Sequence, residues 1–450
     1  MVALVAAPAA TLAAEPTFDK PIVVRGTSAR TVGNPSVALS STGRLAVAFT
    51  DAAARRGGGF QVVVRRGGLD GRLGRREVLA STGYEPVVGV DGRGTPAVVW
   101  EEMKADGGRT LRARVAAGPS GKFGPAQVLA SGQGIITSWT VLDNGGRFVA
   151  VWQESVPGST SKRAARYAIA SKDGRFGRAQ TLAPETGPLS GVAAGRAPDG
   201  TIVAAWGTPL SFSPPVNQQL AEATLAPGAP AFTPGPGQRA VRVTQGAEIA
   251  GIGVAQSAGG AALTWQEQGS LPQLLRTAAP GGAASTVATS ESKDLGARSL
   301  RGPALAIPAT GARSALWADV QGPGGESEQT TGGQVLTATQ AADGSWSAPV
   351  TLSGPGEIAT QPGAGASRSL SAYLWTTGSF PRFGLRYAVR SASGAVTAAR
   401  TLAAGAARPP AIASSGPAVV AAWIQRDPRA PRGSDAQNHA SIRLSVLRDR

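Results

Sequence analysis

Short apolar runs that end in an aromatic residue and then turn polar recur along the whole chain. They read LAVAF to Phe49, PAVVW to Trp100, FVAVW to Trp152, IVAAW to Trp206, AALTW to Trp265, RSALW to Trp317, SAYLW to Trp375 and AVVAAW to Trp423. Seven of the nine tryptophans occupy this one position, at spacings of 48 to 59 residues. A period near fifty residues marks an array of one structural unit, and it organises the rest of the chain.

Each aromatic run, here strand B, follows a turn signal: Gly43, Asp91-Gly92, Asn144-Gly145, Asp199-Gly200, Gly259-Gly260, Thr310-Gly311 and Ser415-Gly416. Such residues supply the positive φ of tight hairpin loops. Before the turn lies another apolar run, strand A, as in residues 35–40, 85–90, 191–196 and 304–309. After strand B come a variable connection and an alternating segment, strand C, as in residues 61–65, 110–116, 166–171 and 386–391. Period-two alternation fits a half-buried strand. Strand D repeats most faithfully. RYAIASKDGRFGRAQTLA from Arg166 matches RYAVRSASGAVTAARTLA from Arg386 without a gap, and residues 70–80, 121–130 and 343–353 fall in the same frame.

Four antiparallel strands repeated every fifty residues form the blade of a β-propeller, in which each sheet stacks on the next. The Gly, Pro and alternation pattern excludes a helical solenoid. Eight strand-B aromatics predict eight blades, with seven as the alternative because the units around residues 291–310 are the least regular. The eighth unit ends at strand C, residues 441–448. Its missing strand D appears at the other end of the chain. In residues 16–26 Phe18 takes the aromatic position, Pro21 the small position and Val24 the leucine position. The N-terminal segment is therefore expected to close the ring as the outer strand of the last blade. Residues 16–450 would form one propeller.

The D-G-x-aromatic turns between strands C and D resemble the Asp-box, or BNR, repeats of sialidase-like proteins. Ser171, Asp173, Gly174 and Phe176 come near that pattern, as do Asp343, Gly344 and Trp346. Both are one residue short before the glycine. In that family the Asp-box is a structural turn, so the resemblance implies a propeller and carries no catalytic site. Sialidase chemistry would need an arginine triad, a tyrosine nucleophile with a glutamate partner and an acidic donor. Tyr167 and Tyr387 sit at equivalent strand-C positions, which reads as packing. Tyr84 and Tyr373 have no matching arginine segment beside them.

Composition removes other chemistry. With no cysteine there is no disulfide, thiol nucleophile or Cys-built zinc site, and with one histidine, His439 in a polar loop, there is no multi-histidine metal centre. No phosphate-binding loop or calcium loop is present. No metal or cofactor is expected. The net charge of +16 invites a nucleic-acid reading, but no basic run exceeds two residues. The densest stretch, residues 55–76, carries seven arginines, and a solvated surface accounts for it more simply. No stretch reaches the roughly 18 apolar residues of a membrane span. Residues 1–15 are small and apolar up to Glu15, like the distal part of a secretory signal or a tail.

One recurring constellation suggests a working surface. Acids or amides follow the strand-B aromatic: Asp51, Glu101, Glu102, Gln153, Glu154, Gln266, Glu267, Asp319 and Gln425. Symmetry places them at one end of strand B, as a partial acidic ring able to bind a cation, an amine or sugar hydroxyls. The plainer reading pairs each with an arginine on strand C. The long, dissimilar B–C connections (52–59, 103–109, 155–163, 207–217, 320–332 and 425–439) point to the same face, because insertions in repeat proteins collect on the binding side. The expectation is a secreted, monomeric module binding an extracellular or cell-envelope glycan, polymer or protein through this face, with Asp51, Glu101, Glu102, Glu154, Glu267 and Asp319 as binding residues. The alternative is a sialidase-like glycosidase or other hydrolase using those acids.

Overall fold

The computed structural model describes residues 15–28, 31–52, 59–132, 136–156, 159, 162–187, 191–211, 217–234, 241–242, 248–268, 272–290, 298–321, 332–378, 383–406, 408–427 and 439–449. Residues 1–14 of the expected leader lie outside these, as do the greater part of the long B–C connections and the aromatic-bearing 379–382.

Every regular element among the described residues is a β-strand, grouped in eight antiparallel sheets. Blade 1 contains strands A (Ser36–Leu39), B (Arg44–Ala52), C (Phe60–Gly68) and D (Glu77–Ala80), paired in that order. Blades 2 to 7 repeat the order, with strand B at Pro96–Met103, Phe148–Ser155, Ile202–Ser211, Gly260–Gln268, Ser314–Gln321 and Ser371–Thr377. Blade 4 departs from four strands: the two-residue Val241–Arg242 adds a second partner to its strand C. Strand A lies innermost and strand D is the short outer edge. Brief edges limit sheet-to-sheet association.

Blade 8 closes the ring as expected. Its strands A (Ala411–Ser415), B (Ala418–Arg426) and C (Ala440–Arg448) are completed by Ile22–Ser28, with Ile22 opposite Leu444 and Ser28 opposite Ala440. The closing strand runs two residues beyond the expected 26 and starts later than 16. Residues 16–21 lead into it, and Phe18 packs edge-on against Tyr387 of blade 7 at 5.1 Å. Phe232 of blade 4 meets Tyr167 of blade 3 in the same way at 4.9 Å. The aromatic before strand D thus pins its own blade to the preceding one, which is why the sequence frame of strand D extends to Phe18. The seven-blade alternative is excluded.

Eight apolar cores fill the eight interfaces between consecutive blades. The strand-B aromatic of each blade faces the blade before it: Trp152 lies with Ala97, Val99 and Leu111 of blade 2, and Trp265 with Val203 and Ala205 of blade 4. Trp100, Trp152, Trp265, Trp375 and Trp423 are fully buried. Large aromatics at one repeated position explain why a sheet with two apolar faces is stable only inside the ring.

Antiparallel order gives the ring two faces. The B–C and D–A connections lie on one, here the upper face; the A–B and C–D turns lie on the lower face. The C–D turns near the Asp-box pattern are exposed. Asp343 accepts from the Ser345 hydroxyl at 2.6 Å and its backbone N–H at 2.9 Å, which lowers its pKa. Asp173 is lowered first by the Ser171 hydroxyl and then by the Arg175 N–H. His439 directly precedes strand C of blade 8, has φ of 53° and is half-buried.

Candidate functional site

The upper end of strand B carries the expected acids, and the structure ties five of the six to arginines. Glu102 accepts from the Trp100 indole at 3.1 Å and from Arg112 Nε at 2.6 Å. Glu154 accepts from Trp152 at 2.9 Å and Arg166 at 3.1 Å. Glu267, 1% exposed, accepts from Trp265 at 3.2 Å and lies 3.3 Å from Arg276. In each case the arginine is the strand-C residue directly opposite the tryptophan. Glu101 takes both oxygens to Arg109, at 2.9 and 3.2 Å. Asp51 meets Arg25 of the closing strand at 2.8 Å and Arg76 at 3.5 Å. Asp319 is half-buried in strand B of blade 6, opposite Gln334. The acids occupy one level of the ring, and each of those five is held by its own arginine or, for Asp51, two, rather than gathered at one point.

Blade 7 has no acid after Trp375, yet it builds the same device. Glu357, from the connection before its strand A, accepts from the Trp375 indole at 3.1 Å and from Arg386 at 2.9 Å. Burial alone would raise its pKa. The Gly354 N–H, the Thr377 and Trp375 side chains and the Arg386 charge outweigh burial, and the net shift is downward. In blade 8 Gln425 accepts from Trp423 at 3.1 Å.

On the other side of the same tryptophans the ladder is interrupted. In blades 2, 3, 5, 6 and 7 strand A carries a β-bulge. The two extra-facing residues are 85–86, 138–139, 251–252, 302–303 and 361–362, opposite Trp100, Trp152, Trp265, Trp317 and Trp375. One residue of every pair is left-handed: Glu85 at φ 45°, Ser138 at 52°, Gly251 at 57°, Gly302 at 112° and Gln361 at 51°. For a residue with a Cβ this costs about 1–2 kcal/mol. In three blades the next residue is Pro86, Pro303 or Pro362, which has no N–H to lose where the ladder is broken.

The bulges lie where strand A leaves the upper face, so they rim the mouth of the central channel. Glu85, Ser138 and Gln361 are exposed there. Trp139 is half-buried over the core between blades 2 and 3, and its indole N–H donates to the Glu85 carbonyl at 3.1 Å. The Glu85 carboxylate has no partner among the described residues. Phe60 and Tyr84, also at the upper ends of their strands, pack at 5.4 Å. Sequence reasoning missed this rim. The available signals were the Glu-Pro, Gly-Pro and Gln-Pro pairs ahead of apolar runs.

Below the rim, the eight A strands line a cavity of about 640 Å³. Its lower end is bridged: Ser414 of blade 8 donates to the Gln256 carbonyl of blade 5 at 3.2 Å, and the Arg196 N–H of blade 4 donates to the Gln256 side chain at 2.7 Å. Asp143 lies there, 5% exposed. Burial raises its pKa and nearby Asp91 adds to the rise, against the Gly146 N–H and Arg196. Among the described residues no three His, Cys, Asp or Glu side chains gather as metal ligands, and no helix is long and apolar enough to cross a membrane.

No family model matches the chain, and no curated protein matches it. Solved structures do. The polysaccharide lyase Uly1 superposes with a TM-score of 0.51 at 9% identity, covering 96% of this chain and 99% of that one. A protein of unknown function from Dyadobacter fermentans gives 0.42 at 11% identity over 96% and 99%, and the alpha-L-arabinanase of Penicillium chrysogenum gives 0.41 at 9% over 70% and 97%. The eight sheets make the class an eight-bladed, all-β propeller, and at these identities the likeness to the solved structures is one of fold.

Proposed function

We propose that this propeller is a secreted carbohydrate-recognition module that grips a glycan or envelope polymer at the upper mouth of its channel. The observation that carries the reading is the bulge repeated in five blades at the level of the tryptophan. Left-handed backbone at Glu85, Ser138 and Gln361 is costly, and bulges re-aim side chains toward sites. The mouth combines the groups a sugar needs: a half-exposed indole fixed in orientation, a free carboxylate, a hydroxyl and an amide. The acids at the end of strand B support the rim from behind by holding the tryptophans against which it bulges. The fold shared with a polysaccharide lyase is compatible with a carbohydrate partner.

The test is binding to a panel of neutral and uronate-containing polysaccharides by calorimetry or affinity electrophoresis. Wild type should bind at least one, and Trp139→Ala and Glu85→Gln should each weaken that binding about tenfold or more. No binding across the panel, or variants that bind like wild type, would sink the reading. The second reading, a sialidase-like or other hydrolase, rests on the free Glu85 carboxylate. It requires new reducing ends or cleaved products in the same incubations, lost in Glu85→Gln.

A further inference from the structure

The basic stretch at residues 55–76 separates into two kinds of arginine; its Arg55 and Arg56 lie outside the described residues. Arg65 donates to the carbonyls of Val24, Leu73 and Gly74 at 2.7, 3.0 and 2.9 Å. Arg66 donates to Glu77 and to the carbonyls of Pro119 and Gly121, and lies 5.3 Å over the Phe123 ring. Arg76 reaches Gln61 and Asp51. These three bind the closing strand, blade 2 and strand B of blade 1. Arg72 and Arg75, both exposed, make no such contact among the described residues.

On the lower face, Arg72 and Arg75 join Arg44 around an open cavity of about 720 Å³ between the turns of blades 1 and 2. Its carboxylates are Asp70 and Glu77. Glu77 is committed to Arg66, and Asp70 stands 4.0 Å from Arg72, both widely exposed. Among the described residues, Arg44 and Arg75 have no carboxylate partner. Arg44 is positioned: its stem lies on Gly94, where φ is 89° and an added Cβ would come within 2.4 Å of the Arg44 Cβ.

We propose that this cavity binds the anionic groups (carboxylate, sulfate or phosphate ester) of an acidic polysaccharide. Two guanidinium groups with no carboxylate among the described residues, one carried on a stem seated against Gly94, match charges spaced one per sugar. A nucleic-acid strand would instead call for a long cationic track and open aromatic faces, and the neighbouring Phe123 is covered by Arg66. The site lies on the face opposite the channel mouth and does not depend on the reading given for it.

The experiment measures affinity of the full chain for polygalacturonate and dextran sulfate, with unsubstituted dextran and duplex DNA alongside, over a salt series. Arg44→Gln with Arg75→Gln should lower polyanion affinity about tenfold at low salt and flatten the log–log salt slope by about 1.5. Tighter binding of one polyanion names the preferred group. Lys172→Gln with Arg178→Gln removes two exposed charges from the same face in blade 3 and should change little. Equal loss in that control, unchanged binding in the Arg44/Arg75 variant, or tighter binding of duplex DNA through the same arginines would each overturn the proposal. The thermal midpoint of each variant checks that all remain folded.

Discussion

The blade tryptophan has two neighbours across the sheet, built on opposite principles. In blades 2, 3, 5 and 7 it meets an arginine toward strand C, and both groups share a carboxylate: Glu102, Glu154, Glu267 or Glu357. Every charge there has a partner. Toward strand A the same tryptophan faces two residues instead of one, with the backbone left-handed and a carboxylate free at Glu85. Both features recur together in these four blades, so repetition alone does not separate scaffold from site. Satisfaction does. A satisfied polar group stabilises the blade, whereas stored strain and an unpartnered group mark a place where something else is meant to fit.

The largest effect comes where a strand-B acid draws its partner from another blade. Deleting residues 16–26 removes Phe18, Val24 and Arg25, the last of which holds Asp51. The expected loss is about 5 kcal/mol, read by denaturant unfolding; an unchanged midpoint would refute closure by this segment. Next, Trp265→Ala should cost about 4 kcal/mol yet leave ligand binding intact below its melting temperature. Trp139→Ala should do the reverse, with a small stability change and lost binding. If the two exchange behaviour, the contrast between the tryptophan's neighbours fails.

Glu357→Gln should cost about 1.5–2 kcal/mol at pH 7, because it takes the carboxylate from Arg386 and leaves it the Ala399 carbonyl. The folded pKa of Glu357 lies below its ordinary value of 4.5. Its contribution is therefore complete above that value and is lost as pH falls through the folded pKa. The stability gap between wild type and variant should close over that fall; a gap that widens in acid would contradict the assignment. The smallest effect has the opposite sign. Glu85→Gly should stabilise the fold by ~0.5–1 kcal/mol, since glycine accepts the left-handed backbone and part of the gain is offset by its freer unfolded chain, while glycan binding weakens. A destabilised Glu85→Gly would show that the bulge is not strained.

Much of the fold was legible because a propeller writes its packing into one repeated position. The tryptophan spacing counted the blades, and Phe18 in the strand-D frame located the closing strand from 420 residues away. The site was less legible, for physical reasons. A bulge shifts register without altering the apolar pattern, so residues 138–139 read as ordinary strand, and only the proline at 86, 303 and 362 hinted at a broken ladder. The Arg–Glu pairing was visible where both partners lie on strands B and C. It was hidden in blade 7, where Glu357 comes from a connection. The basic stretch could not be divided from sequence, because what makes Arg65 structural and Arg75 free is whether a carbonyl or carboxylate from another strand happens to lie within reach.

Closure also says something about how the chain reaches its folded state. Asp19 and Arg448 pair across 429 residues of sequence. Holding the ends of so long a loop together costs roughly 5 kcal/mol of chain entropy if nothing between them is yet ordered. That cost falls steeply when the intervening blades assemble first and bring the two ends near each other. The clasp is therefore best made last, after synthesis of residues 440–448. A permuted chain, with residues 15–28 joined after Asp449 and new termini opened between blades 3 and 4, would turn the most distant contact into a local hairpin and should refold faster with the same final ring.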